Sequence, residues 1–277
     1  MSQDGDSDSL IPFMGARTAL VGACEEMERR LHGLRDSHGR VADEIHQLRK
    51  LGKRLRGGLA VIGEAKPCLR WIAVIGRMLG GARDAAVRAK TWKGLGVESP
   101  AIGAIETAIS GMLELAAESS ARRPPQGVID WSLAAVAQVK ARLLAFSEEE
   151  LAERALKGSH QLKRRLKKRL KQALQRVKNE DFHECRKAAK AWLGGMSLVA
   201  PDLHLPGQDE TEKLAGNLGD ENDLEVLSLW LNEHGFTQAT AKAAWKVLHR
   251  KQEKIRRRSL SLIRKDLLPA LAEKEKS

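Results

Sequence analysis

Two histidines, each heading a row of cations, are the residues whose types and spacing could do chemistry. In Ile45 to Arg56, IHQLRKLGKRLR, a period of about 100° per residue puts Arg49, Lys50 and Lys53 within about 60° of His46, with Gly57 on the same face. Leu48, Leu51, Leu55, Leu59 and Ile62 fall on the far side as a packing stripe. The cationic face holds no carboxylate. Like charges one turn apart cost a few tenths of a kcal/mol each in an isolated helix, so a face that stacks them is suited to meet an anion. A His N–H can donate to a phosphate oxygen, Arg offers a forked pair of donors, and Lys adds a mobile point charge. From His46 to Lys53 the helix rises about 10 Å, room for several linked phosphates and more than one phosphate needs.

A basic face is ordinarily a solvated face. Duplication argues for more. An offset of 137 carries His46, Arg49, Lys50 and Lys53 onto His183, Arg186, Lys187 and Lys190, and Gly57-Gly58 onto Gly194-Gly195. An offset of 139 carries Leu79-Gly80 and Asp84 onto Leu218-Gly219 and Asp223, with Arg83 matched by Asn222. Self-similarity of this kind indicates two related structural units. Arg83 is a further candidate for the first cradle; Asp84 and Asp223 are expected to cap helices or to orient cations rather than to touch an anion.

Rival chemistries fare worse. Zinc needs clustered His, Cys or carboxylate ligands, whereas these histidines are hemmed in by cations. Cys185 is two residues from His183 but on the apolar face, which leaves no nucleophile. No paired carboxylates supply the Mg²⁺ ligands of phosphoryl hydrolysis. No catalytic residue, metal site or cofactor is expected, and the protein is not expected to be an enzyme.

The elements that position these rows are helices. Apolar residues keep helical spacing from Arg17 to Ser37, 41 to 64, 67 to 79, 83 to 93, Pro100 to Ala121, Trp131 to Phe146, Glu148 to Lys178 with a break near Gly158-Ser159, and His183 to Ala200. Asp209 to Leu218, Leu224 to His234 and Thr237 to Ala272 complete the pattern, and no segment alternates as a strand does. The fold class is all-α, as two pseudo-symmetric bundles of about four helices each, 12–139 and 140–272, flanked by tails at 1–11 and 273–277. Within 148–178 the run LKRRLKKRLKQALQRV keeps an apolar stripe at Leu162, Leu166, Leu170, Ala173, Leu174 and Val177, with Lys163, Arg164, Lys167, Lys168 and Lys171 on one flank and Arg165, Arg169 and Arg176 on the other. The first flank is expected to widen the basic surface. Lys246, Arg250, Lys254 and Arg257 of the final helix are expected to be solvated.

The chain of 277 residues carries 48 Lys+Arg against 36 Asp+Glu, a net charge of +12. The first 139 residues contribute +3 and the rest +9, of which 154–190 alone would supply +11. Such a field captures polyanions: nucleic acid, an acidic lipid surface, or inorganic or nucleotide polyphosphate. No apolar run approaches the roughly 18 residues of a membrane span, and the acidic, polar start MSQDGDSDSL is not expected to act as a signal peptide. Three isolated cysteines, Cys24, Cys68 and Cys185, fit a reducing cytoplasm.

These residues resemble the CHAD family, the conserved-histidine α-helical domain. The likeness rests on His46-x-x-Arg49-Lys50-x-x-Lys53-Arg54-x-Arg56, Leu79-Gly80-x-x-Arg83-Asp84, the basic run before His183-x-x-Arg186-Lys187-x-x-Lys190, and Leu218-Gly219-x-x-Asn222-Asp223, spanning about 12 to 270. The resemblance implies helical bundles with pseudo-two-fold symmetry about a basic groove or pore. It also implies non-enzymatic binding of inorganic polyphosphate, with polyphosphate granules as a cellular address and Arg54 and Arg56 joining the site. His183 is followed by Glu184, and Ala191 and Leu193 stand where the first copy has Arg54 and Arg56, so the second cradle is expected to be the weaker. Nucleic acid is the runner-up partner, disfavoured by the absence of Tyr and by 4% aromatic content; an acidic protein is the third. Oligomeric state is not legible. The central expectation is geometric: both histidine faces turn toward one hollow.

Overall fold

A computed structural model describes residues 10–36, 41–64, 66–96, 103–120 and 123–272, and these form helices and turns with no strand among them. A short 3₁₀ turn (Ile11–Phe13) leads into α1 (Ala16–Asp36), α2 (Val41–Val61), α3 (Lys66–Met78), α4 (Gly81–Lys93), α5 (Ala104–Ser120), α6 (Gln126–Leu144), α7 (Glu148–Arg176), α8 (Asn179–Val199) and α9 (Gln208–Glu233). Next, α10 (Lys242–Leu262) continues through a π turn (Ile263–Leu267) into α11 (Leu268–Ala272). The protein is all-α. The expected tails at 1–9 and 273–277 and the helix start at Pro100 lie outside the described residues, whereas residues 10 and 11, assigned to the tail, already belong to the first turn.

Local chemistry sets the helix ends. Ser147 and Glu150 form a reciprocal capping box, Glu150 N–H donating to Ser147 Oγ at 3.1 Å and Ser147 N–H to Glu150 Oε2 at 2.8 Å. The neighbouring Glu148 accepts from Gly15 N–H (2.7 Å) and Arg17 N–H (2.9 Å), so the first turn of α7 also caps the start of α1. α2 ends in a Schellman turn, Glu64 N–H reaching the Leu59 carbonyl with Gly63 at φ +64°.

Two hydrophobic cores result, and each draws on both halves of the chain. The larger lies among α1, α2, α3, α6, α7, α8, the start of α9 and the π turn with α11. The smaller joins Trp92 of α4 and Ile109 and Leu113 of α5 to Leu224, Leu227, Trp230 and Leu231 of α9 and Trp245, Leu248 and Ile255 of α10. The two bundles are therefore assembled from interleaved halves, and α9 and α10 each serve both. From α10 through the π turn into α11 the buried row Ile255, Ser259, Ile263, Leu267, Leu271 recurs every fourth residue. A regular helix would rotate such a row about 40° per step, and the wide π turn takes up part of that drift.

Several expected boundaries move, among them the start of the last long helix, at Lys242 rather than Thr237, and the start of α8, at Asn179 rather than His183. α7 runs through Gly158-Ser159 unbroken, because Gly158 is where the backbone of α7 lies against the Val61 carbonyl of α2 and a side chain would not fit. α9 runs through Leu218-Gly219, whereas the matching Leu79-Gly80 separates α3 from α4. α6 begins at Gln126, five residues before Trp131. Val177, expected in the apolar stripe, is instead the exposed left-handed cap of α7 at φ 52°.

α2 and α8, the two histidine helices, cross at their matched glycines. A Cβ on Gly57 would lie 2.5 Å from Gly195 N, 2.8 Å from the Gly194 carbonyl carbon and 3.1 Å from the Ala191 oxygen; one on Gly194 would lie 3.7 Å from Arg54 Cα. The pairs Gly57–Ala191 and Arg54–Gly194 are one pair under the 137-residue offset, as a pseudo-two-fold through the crossing requires. Rotation about a two-fold preserves height along its axis, so the duplicated faces lie at the same level of the molecule.

Candidate cationic site

On the wheel that sets His46 at zero, the crossing residues Arg54, Gly57, Gly58 and Val61 occupy about 20° to 120°, and Lys50 stands at about 40°. The face that packs at the crossing is thus the face that carries His46 and Lys50, continued toward the N-terminus. The same holds for Lys187 and His183 on α8. Each lysine is about 10 Å along its helix from the crossing. His46, Lys50, Lys53, Arg56, His183, Lys187 and Lys190 are exposed, so neither histidine is buried among aliphatic side chains.

The other motif cations are tied down. The Arg49 side chain, 13% exposed, donates from Nη1 to the Gly76 carbonyl at 2.9 Å and meets Asp84 at 3.5 Å, clamping α2 to α3 and α4. Its counterpart Arg186 donates to Asn222 Oδ1 at 3.4 Å, binding α8 to α9 at the matching place. Asp84 is thus a positioning carboxylate, and it does not cap α4, whose N-cap is Gly80. Arg54 donates to the Ser197 carbonyl at 2.9 Å across the crossing and is half-buried, a clasp between the two helices. The Arg83 side chain lies outside the described residues.

Around the histidines the structure places groups on other helices that the periodicity of α2 and α8 cannot indicate. His46 opens onto a cleft of about 600 Å³ between the bundles, floored by Ile45, Leu224 and Ile255 and rimmed by Lys90, Lys251, Asp43, Asp220 and Asp223. His183 and Arg186 line a cleft of about 220 Å³ with Glu221, Glu225, Glu253 and Arg256. The two histidines therefore serve separate clefts, on faces of α9 about 140° apart (Asp220, Asp223 and Leu224 against Leu218, Glu221 and Glu225). The expected single hollow is divided by α9 and α10. Arg49, Lys53 and Arg56 meet Arg77 of α3 around a third cleft of about 200 Å³.

The basic run of α7 joins the second cradle by its other flank. Arg169 lies 3.6 Å from Glu184, and Arg176 reaches Asp181 at 3.3 Å. Lys163, Arg164, Lys167, Lys168 and Lys171 lie about 150° away around α7, with Arg164, Lys168 and Lys171 exposed and Lys163 and Lys167 half-buried. Their row borders the surface without entering a histidine cleft.

Charge is unequal between the copies. In the second, Lys187 Nζ donates to Glu184 at 2.8 Å. That hydrogen bond, aided by the charges of Lys187, Arg169 and His183, lowers the Glu184 pKa against the opposing effect of partial burial. The matching residue in the first copy is Gln47, and Lys50 and Arg56 make no ion pair among the described residues. Elsewhere, burial pushes the thiols of Cys24 and Cys185 up to about 12, which leaves Cys185 inert beside its histidine. Among the described residues no three His, Cys, Asp or Glu side chains could hold a metal ion, and no helix is long and apolar enough to cross a membrane.

The family model described as "CHAD domain" matches residues 18–232. Among solved structures, the crystal structure of the CHAD domain from the plant Ricinus communis is 20% identical, over 94% of this chain and 90% of that one, with a TM-score of 0.49. No curated protein matches the chain.

Proposed function

This chain belongs to the CHAD domain family, and from that premise we propose that it binds inorganic polyphosphate and catalyses no reaction. The carrying observation is the pair of matched His-x-x-Arg-Lys-x-x-Lys faces, joined at the glycine crossing, whose lysines and histidines are exposed while their arginines brace the helices. A polymer that crosses from the α2 face to the α8 face meets Lys50, Lys53, Lys187 and Lys190, with His46 and His183 toward the ends, while the α7 row Arg164, Lys168 and Lys171 extends the field. A linear chain of phosphates suits two sites separated by a crossing; a single phosphate does not. Within this proposal the protein works in the cytoplasm, at polyphosphate deposits.

Nucleic acid fits less well. Trp92, Trp192, Trp230, Trp245, Phe13 and Phe182 are buried, which removes most of the stacking surface a single strand would use. The test is competition: labelled long-chain polyphosphate displaced by unlabelled polyphosphate, by single-stranded DNA or by RNA, at equal phosphate concentration. Preferential displacement by polyphosphate supports the proposal. Equal or better displacement by either nucleic acid overturns it in favour of the alternative.

A further inference from the structure

We propose that Glu184 is a built-in anion that occupies the second cradle and makes the two histidine faces unequal partners for a polyphosphate chain. This rests on the polyphosphate proposal and adds an order of engagement to it. The duplicated faces match at His, Arg, Lys and Lys, but the residue three places before the central lysine is Gln47 in one and Glu184 in the other. Glu184 is half-buried, with its side chain 26% exposed. It accepts a hydrogen bond from Lys187 at 2.8 Å and lies 3.6 Å from Arg169, so one carboxylate holds a cradle cation and ties it to the basic run of α7. Gln47 carries no charge with which to hold Lys50 the same way.

An incoming phosphate at the second cradle must therefore displace a carboxylate that already holds Lys187, whereas Lys50 is paired with no carboxylate among the described residues. An ion pair at a partly exposed site contributes little, so a neighbouring phosphate tethered to the same chain can replace it. The polymer engages α2 first. It takes Lys187 and Arg169 from Glu184 only when it is long enough to reach α8 while still held at Lys50. Glu184 thereby sets a minimum chain length and rejects short phosphates at the second cradle.

The test is a symmetric exchange. Glu184→Gln frees the second cradle, and Gln47→Glu installs the same device in the first, at an exposed helical position where either residue is tolerated. Each variant and the wild type are titrated with polyphosphates of graded length at low salt. Glu233→Gln, an exposed glutamate at the far end of α9, controls for net charge. Expected are binding about two- to fivefold tighter and a shorter minimum chain for Glu184→Gln, and binding about two- to fivefold weaker for Gln47→Glu, with Glu233→Gln unchanged. If the wild type binds polyphosphate but Glu184→Gln matches it or Glu233→Gln, the device does not exist while the polyphosphate proposal stands. If the wild type binds no polyphosphate of any length, both fall together.

Discussion

Replacing Gly57 by alanine tests the crossing on which the site depends. In a helix interior the exchange of Gly for Ala is worth about 1 kcal/mol in favour of the variant. At Gly57 the new methyl would sit 2.5 Å from Gly195 N and 2.8 Å from the Gly194 carbonyl carbon, both backbone atoms that no rotamer change can move aside. Restoring ordinary contact distances near 3.5–4.0 Å requires α2 and α8 to part by about 1 Å, which forfeits a quarter to a half of the dispersion energy along the seam. Overpacking costs of about 1–3 kcal/mol, at the upper end because the obstacle is backbone, leave Gly57→Ala net destabilised by about 2 kcal/mol. Gly52→Ala is the control on the same helix: its methyl would meet Ile72 Cγ2 at 3.7 Å and Met27 Cε at 3.8 Å, ordinary contacts, so the helix preference prevails and stability rises by about 0.5–1 kcal/mol. In thermal unfolding of a chain this size, these correspond to a fall of about 4–8 °C and a rise of about 1–4 °C. A Gly57→Ala variant as stable as Gly52→Ala would refute the backbone contact.

Other outcomes follow from the same geometry. The double variant Lys50→Glu/Lys187→Glu is expected to lose polyphosphate binding by tenfold or more, on the order of two favourable contacts made repulsive, with its far-ultraviolet circular dichroism unchanged; retained binding would exclude both lysines from the site. The Glu184 carboxyl is held below its ordinary value of 4.5, so its contribution to stability is present above that pH and lost as pH falls through the lower folded value. Urea titrations of wild type and Glu184→Gln should therefore differ at pH 7 and converge in acid; a gap independent of pH would contradict the Lys187 hydrogen bond. Cys24, Cys68 and Cys185 are all buried, so none should react with a thiol reagent at pH 8 in the native protein and all three should in urea; rapid native labelling would contradict their placement.

Helical content and the duplicated cradles were legible because both are periodic. A stripe such as Leu48, Leu55 and Leu59 announces its burial through spacing alone, and all three are buried. The matched glycines were visible as a repeat, but their purpose was not: only a second helix pressed against Gly57 shows why a side chain is forbidden there. The continuity of α7 through Gly158 was missed for the same reason, since a glycine that admits a neighbouring carbonyl and one that breaks a helix look alike in sequence. The partners of the cradles were likewise illegible. Arg77, Asp220 and Arg256 reach the clefts from α3, α9 and α10, at distances along the chain that no local pattern encodes. The interleaving of the bundles has a similar origin. α9 carries Leu214 and Leu218 for one core and Leu227 and Trp230 for the other, which reads as two shorter helices on either side of Gly219 until its neighbours are known.

Titration of the wild-type protein with polyphosphates of graded length, repeated from low to physiological salt, tests the central claim most directly. With about six phosphates neutralised, the affinity for long chains should fall by two to three orders of magnitude between 50 and 200 mM salt, on the order of 0.7 counterions released per contact. Affinity should also rise steeply with length until a chain spans both faces. Orthophosphate binding as tightly as the polymer, or an affinity indifferent to salt, would contradict the account.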